Sequence, residues 1–286
     1  MRIFFVCLLF LIAGKTFGQD TTATHSDIEF AEYLVGNGMY DDALQLFRQT
    51  NRTDTSNVDQ WNYLRGWAFY NLKMLDSSSI FLLKVSPRSD KYYKSLFFGA
   101  YNLTYQKRFS ESKSVLYQIP DSDTSLAELK RIQLAGINLL EHQWREFETN
   151  SSHFTFTNYC FSENETELKG LGADCRSFKR KSPLVAGLLS AAVPGLGKIY
   201  AKKTGGGISA FLTVSILGAL TYENFTKRGI EHPGTIVAGS LFSLAYVGNI
   251  YGSVYSVNAY REEFYEKVNY RVLFHLHIPL RNFFDR

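Results

Sequence analysis

The residues with types and spacings suited to chemistry are few. His275 and His277, two positions apart, would put both imidazoles on one face of a strand, as a divalent metal requires, but no cysteine or carboxylate stands at ligand spacing from them. They read as an incidental pair in an amphipathic tail. Gly205-Gly206-Gly207 has the composition of a phosphate-binding loop, yet it lacks the following Lys-Ser/Thr pair and opens a long apolar stretch, so a hinge is expected there. His142 and His153 have no nucleophile nearby in sequence. Asp41-Asp42 stands where a helical pattern begins, a position better explained by the positive end of the helix dipole than by acid–base work. Cys160 and Cys175 are the two thiols outside the N-terminal apolar run. In an oxidising compartment a disulfide between them would restrain a short polar connector by about 3 kcal/mol, and the spacing leaves the bonded and reduced forms equally open. No enzyme is expected, and neither a cofactor nor a metal ion.

Attention therefore shifts to the elements. The chain has 286 residues, 45% of them apolar, with 31 basic against 27 acidic residues and a net charge of +4. So small an excess gives no footprint for a phosphate backbone, and nucleic acid is excluded as the expected partner. Aromatic residues reach 15%, which suits both interlocking helical ridges and membrane interfaces.

Residues 1–18 read as a secretory signal: Arg2, an apolar run from Ile3 to Ala13, and the small-x-small end Thr16-Phe17-Gly18. Cys7 lies inside that run without the small residues a lipoprotein signal carries before its cysteine.

From residue 19 to 148 short amphipathic helices come in pairs. Ala31, Gly66 and Gly99 recur at spacings of 35 and 33, and each is expected to admit a second helix whose own small residue falls about 12 positions later, as Ala43 and Ser78 do. Ser112 falls one residue late against Gly99. Tyr40-Asp41-Asp42-Ala43-Leu44-Gln45-Leu46-Phe47 resembles the turn and second helix of a tetratricopeptide repeat, with Phe47 as the aromatic four residues after the alanine. The resemblance implies a solenoid of stacked helix pairs whose concave face binds a protein or peptide. A degenerate fourth pair is expected through Ala135 and Gly136. Residues 149–182, rich in Asn, Ser and Thr and ending in Lys179-Arg180-Lys181, read as a polar linker or capping segment.

The character changes at Pro183. Gly205 to Tyr222 is 18 residues without a charge, about 27 Å as a helix, and Thr235 to Val257 is a second uncharged span of 23 residues. Ser190-Ala-Ala-Val-Pro194-Gly195-Leu-Gly197-Lys-Ile-Tyr200 is similar to the opening motif of small bacterial transmembrane-hairpin modules, although Lys198 stands where a neutral glutamine is more usual. That resemblance, over residues 183–260, implies membrane anchoring and self-association, and no reaction. Gly248, Gly252 and Ser256 recur every four positions, a ridge on which the Gly205 span or a second copy is expected to pack, with Asn249 hydrogen-bonding across the interface. Export and the basic run at 179–181 disagree about orientation. A third crossing by Leu184 to Tyr200 resolves most of the conflict by placing Lys202, Lys203, Arg261, Lys267 and Arg271 inside; a re-entrant opening segment with two crossings is the alternative. Residues 261–286 are expected as an amphipathic basic tail.

The expectation is thus an all-α chain: a tetratricopeptide-like solenoid followed by a transmembrane helical hairpin or bundle. Functionally it is a scaffold or adaptor of the bacterial envelope, in the inner membrane with its repeats exported to the periplasm, binding a protein partner, contacting lipid, and pairing with copies of itself. The competing expectation makes the hairpin the active part, in transport or insertion.

Overall fold

The computed structural model describes residues 21–49 and 57–285, with side chains from residue 27. Among the described residues the chain forms 13 α-helices and no strand, so it is all-α. The signal-like stretch 1–18, with Cys7, lies outside the described residues. The chain divides into two compact units, Met1–Lys130 and Arg131–Arg286.

The first unit holds α1 (Thr21–Gly36), α2 (Tyr40–Gln49), α3 (Val58–Asn71), α4 (Leu75–Leu82), α5 (Tyr92–Tyr105), α6 (Phe109–Leu116) and the start of α7 (Thr124–Leu140). These are helix pairs, and one turn closes them all. Gly38, Lys73 and Lys107 each adopt a positive φ, at 76°, 63° and 63°. Each donates its N–H to the carbonyl three residues back, and the next residue donates to the carbonyl five back, as Met39 does to Leu34 at 2.8 Å. The left-handed residue stops the helix while satisfying its last carbonyls, so the turn needs no outside partner. Its spacing is 35 and then 34 residues.

The serines that replace alanine in the second and third pairs have a physical role. Ser78 Oγ donates to Gly66 O and Ser112 Oγ to Ala100 O, both at 2.8 Å and both across 12 residues. The hydroxyl satisfies itself on the neighbouring helix, so it costs little to bury. Asn102 Nδ2 in turn donates to Ser78 Oγ at 2.8 Å, tying α5 to α4. This corrects the register read from sequence: the partner of Ser112 is Ala100, and Ser112 is not late. Gly99 faces the preceding helix instead, where a Cβ would lie 2.7 Å from Leu83 Cδ2. Gly66 keeps the expected role, since a Cβ there would lie 2.6 Å from Leu82 Cγ and 2.9 Å from Leu82 N. Ala31, Ala43 and Phe47 share one buried cluster with Ile28, Leu44 and Leu64.

The second unit holds the rest of α7, α8 (Trp144–Ser151), α9 (Ser162–Ser177), α10 (Pro183–Ala192), α11 (Leu196–Tyr200), α12 (Thr204–Arg228) and α13 (Pro233–Phe284). The same self-satisfied turn recurs at His142 between α7 and α8, and again at Lys202 between α11 and α12. Two expectations fail here. Residues 149–182 are not a bare linker, because they contain the 16-residue α9, which buries Leu168, Leu171, Gly172 and Cys175. Gly172 seats Phe147, whose Cε1 would lie 2.3 Å from a Cβ there. Glu165 is fully buried and accepts the N–H groups of Thr155 and Phe156, pinning the loop before α9. Nor are residues 261–286 an appended tail. They continue α13, a single helix of 52 residues and about 78 Å. Its far half packs on α7 and α9: Leu276 fills the space left by Gly136, Gln133 donates to Leu276 O at 2.7 Å, and Phe178 stacks on Phe264 at 3.9 Å. His275 and His277 accordingly sit on a helix and not on a strand.

Candidate functional site

The opening motif folds around its proline and glycine. Ser182 caps α10 by accepting from Val185 N, with Pro183 at the first helical position. α10 is 10 residues, about 15 Å, and ends before Pro194-Gly195, where Gly195 takes φ 86° and reverses the chain into α11. A side chain at Gly195 would bring a Cβ to 2.1 Å from Gly207 O, and at Gly197 to 2.0 Å from Ala186 O. Both glycines are therefore required by close backbone approach.

Against this reversal lies one line of α13, formed by Asn249, Ser253 and Val257, all buried. Asn249 Oδ1 accepts from Gly195 N at 3.1 Å, and its Nδ2 donates to Ser190 O at 3.2 Å. Ser190 Oγ accepts from Gly197 N at 3.0 Å and shares a hydrogen bond of 2.6 Å with Ser253 Oγ. Tyr246 donates its hydroxyl proton to Ala191 O at 2.5 Å. The result is a closed polar seam in which Asn249, Ser190 and Tyr246 answer backbone groups that the reversal would otherwise leave unpaired, and Ser253 holds the Ser190 hydroxyl. Two readings from sequence change. Asn249 does hydrogen-bond across a helix interface, but to the opening motif and not to the Gly205 span or a second copy. The Gly248–Gly252–Ser256 ridge lies one residue off the buried line: a Cβ at Gly248 would meet nothing within 4 Å, while Gly252 is covered by the Lys198 stem at 3.3 Å.

The opening segment also starts and ends at the same place. Lys181 Nζ donates to Tyr200 O, and Ser182 N donates to Tyr200 OH at 3.2 Å. Tyr200 packs with Ala186, Ala201 and Val257. A helix crossing a bilayer between residues 184 and 200 would hold these ends about 30 Å apart. Residues 184–200 therefore double back on themselves as two short helices and form no single helix long enough for the expected third crossing.

α12 and α13 are each long and apolar enough to cross a membrane, and only 11% of either apolar window is buried. They cross closely at Gly218, whose Cβ would lie 3.1 Å from Phe242, and at Gly239, 3.5 Å from Thr221. Their outward faces carry Ile216, Leu220, Ile236, Val237 and Leu244, each 46–73% exposed.

In the first unit three of the exposed aromatic residues lie on first helices, Phe30 and Tyr33 on α1, stacked at 6.5 Å, and Tyr105 on α5, while Tyr117 caps the second helix α6. Lys94 sits over the Trp67 ring at 4.2 Å. Cys160 and Cys175 are both buried thiols, so the disulfide that the spacing allowed is not formed. Burial pushes the Cys175 thiol up to about 11, which keeps it protonated at neutral pH. Among the described residues no three His, Cys, Asp or Glu side chains gather as metal ligands. The feature sequence reading missed is the repeated left-handed turn at Gly38, Lys73, Lys107, His142 and Lys202, for which lysine gives no compositional signal.

No protein-family model, no curated protein and no solved structure matches the chain.

Proposed function

We propose that the chain is a non-enzymatic scaffold of the bacterial cell envelope, held in the inner membrane by α12 and the first half of α13 and presenting its helix pairs to a protein partner. The carrying observation is the inverted polarity of the stretch from α10 to the first half of α13: aliphatic side chains exposed on α12 and α13, and a hydrogen-bonded Ser190–Asn249–Ser253 seam inside. Water would penalise the first and lipid accepts it, whereas lipid demands the second. Helix pairs joined at 34- to 35-residue intervals, with Ala31–Ala43, Gly66–Ser78 and Ala100–Ser112 each 12 apart, support the tetratricopeptide-like reading and hence a binding role.

With a re-entrant opening there are two crossings, so the helix pairs and the far half of α13 share one side. The signal-like start at residues 1–18 favours the exported side. The basic run at 179–181 does not forbid this, because the positive-inside rule weakens for a long translocated domain, and the stretch before Pro183 is one. Reporter fusions test it: signals at Ser182 and Arg286 outside and at Arg228 inside are expected, and an outside signal at Arg228 refutes two crossings. For the partner, crosslinking in intact membranes reads the effect of Phe30→Ser with Tyr33→Ser. Capture of the same proteins by both forms excludes that surface.

The buried seam also favours a second reading, in which the hairpin itself acts in transport or insertion. There Gly252→Leu, which displaces the Lys198 stem, abolishes activity while the Phe30 and Tyr33 changes are silent; the opposite pattern eliminates it.

A further inference from the structure

Between Ser177 and Tyr222 the chain has no carboxylate, and the cations in that interval fall in two groups apart in sequence: Lys179-Arg180-Lys181, and Lys198 with Lys202-Lys203. The re-entrant fold brings them together. Lys181 bonds Tyr200 O and lies over the Tyr200 and Tyr260 rings at 5.0 and 5.1 Å; Lys202 lies over the same Tyr260 ring at 5.6 Å. Arg180 reaches Tyr265 OH at 3.5 Å. Only Lys203 is neutralised by an ion pair among those described, with Glu263 at 2.6 Å. Lys179, Arg180 and Lys202 are exposed, and Lys181 and Lys198 half-buried.

We infer that this collar binds the phosphate of anionic phospholipid headgroups. The argument rests on the reading of α12 and α13 as membrane-spanning, and two further observations point to a lipid. The collar sits where three membrane-facing segments begin or end: the start of α10, the start of α12, and α13 at Tyr260. That is interface depth, and the tyrosines there are the rings that settle at headgroup level. Glu262, Glu263 and Glu266 follow Tyr260 on α13, yet the collar end keeps a cationic excess, whereas at the opposite end of the hairpin Glu223 and Glu231 balance Lys227 and Arg228, and Glu223 already holds Lys227 at 2.6 Å. A basic ring with aromatic interleaving at one end only is a match for an anionic surface, and each cation near such a surface strengthens binding about fivefold. Lys198, on α11, meets α13 farther along, its Cε and Nζ 3.3 and 3.5 Å from where a Cβ of Gly252 would stand.

The test uses the full chain in neutral maltoside micelles, with dioleoyl phosphatidylglycerol or dioleoyl phosphatidylcholine added and the thermal midpoint followed. Phosphatidylglycerol should raise the midpoint and phosphatidylcholine should not. Lys181→Gln with Lys202→Gln should weaken the apparent phosphatidylglycerol affinity about 25-fold, while Lys227→Gln leaves it unchanged. Equal response to both lipids, or an unaltered response in the double variant, overturns the assignment. Inorganic phosphate reproducing the shift would make this a free-anion site and also overturn it. Alkaline carbonate extraction separates the two readings: a chain that stays in membranes but ignores headgroup charge refutes the collar alone, and a chain that is extracted refutes the anchor beneath it.

Discussion

The helix pairs of the first unit and the anchor of the second solve one packing problem with opposite polarity. In the first, Phe97, Phe98, Leu82 and Leu116 are fully buried, and Ser78 and Ser112 are tolerated among them because each finds a carbonyl on the adjacent helix. In the second, the tightest contacts are made by Ser190, Gly197, Asn249 and Ser253, while leucines and isoleucines face outward. Hydrophobic burial drives the first arrangement. In the second, on the proposed reading of α12 and α13 as membrane-spanning, close approach of small residues and paired polar groups substitute for it, since lipid is as apolar as leucine.

The largest effect expected from breaking this contrast is at Gly197. Gly197→Leu forces α10 off α11 and opens the seam, at a cost on the order of 4 kcal/mol, read as loss of protease resistance in detergent. Gly66→Ala in the first unit meets Leu82 in a similar clash, so both regions should prove equally intolerant of a side chain at their closest approach. Next comes the outer surface. Ile216→Asp should oppose membrane insertion by about 3 kcal/mol, seen as protein lost from the membrane fraction, whereas Ile80→Asp on the exposed face of α4 should change the stability read from thermal unfolding by no more than about 0.5 kcal/mol. Equal tolerance of both would dissolve the distinction between the two exteriors. Smaller again, Asn249→Leu leaves Gly195 N–H and Ser190 O unpaired at about 2 kcal/mol, against about 1 kcal/mol for Ser78→Ala; chemical denaturation in detergent compares them.

The smallest effect is one of pH. Burial lowers the pKa of His275, outweighing the attraction of Glu167, and burial with Arg180 nearby lowers that of His142. A histidine whose folded pKa lies below its unfolded value binds fewer protons when folded, so stability rises with pH through that window and falls on acidification. The midpoint should drop between about pH 7 and pH 5, and His275→Gln should flatten the slope.

Much of this could be read from residue order, and the failures have identifiable causes. The helix pairs were legible because small residues mark close approach, yet Gly99 misled the register: it fits the preceding helix, and nothing in a one-dimensional spacing tells which neighbour a glycine faces. The anchor seam was half legible. Asn249 signalled an interface, but the small residues spaced four apart pointed one position aside, because the folded-back opening motif, and not another long span, supplies the surface. α9 was hidden by composition, since its buried face includes Asn164, Glu165 and Gly172 and so lacks an apolar period. The far half of α13 was hidden for a related reason, as its packing residues Val268, Val272, Leu276 and Leu280 alternate with charges and aromatics.

The single helix α13 also imposes an order in time. It follows in the chain every element it completes: the seat for Asn249 between α10 and α11, the flank of α12, and the groove on α7 and α9 that Leu276 fills. The three helix pairs of the first unit need nothing downstream of Lys130 for the contacts between them. Synthesis therefore delivers finished helix pairs first and leaves α7 through α12 waiting, with Gly136 uncovered and the Gly195 N–H without its Asn249 acceptor, until one helix closes both ends of the second unit.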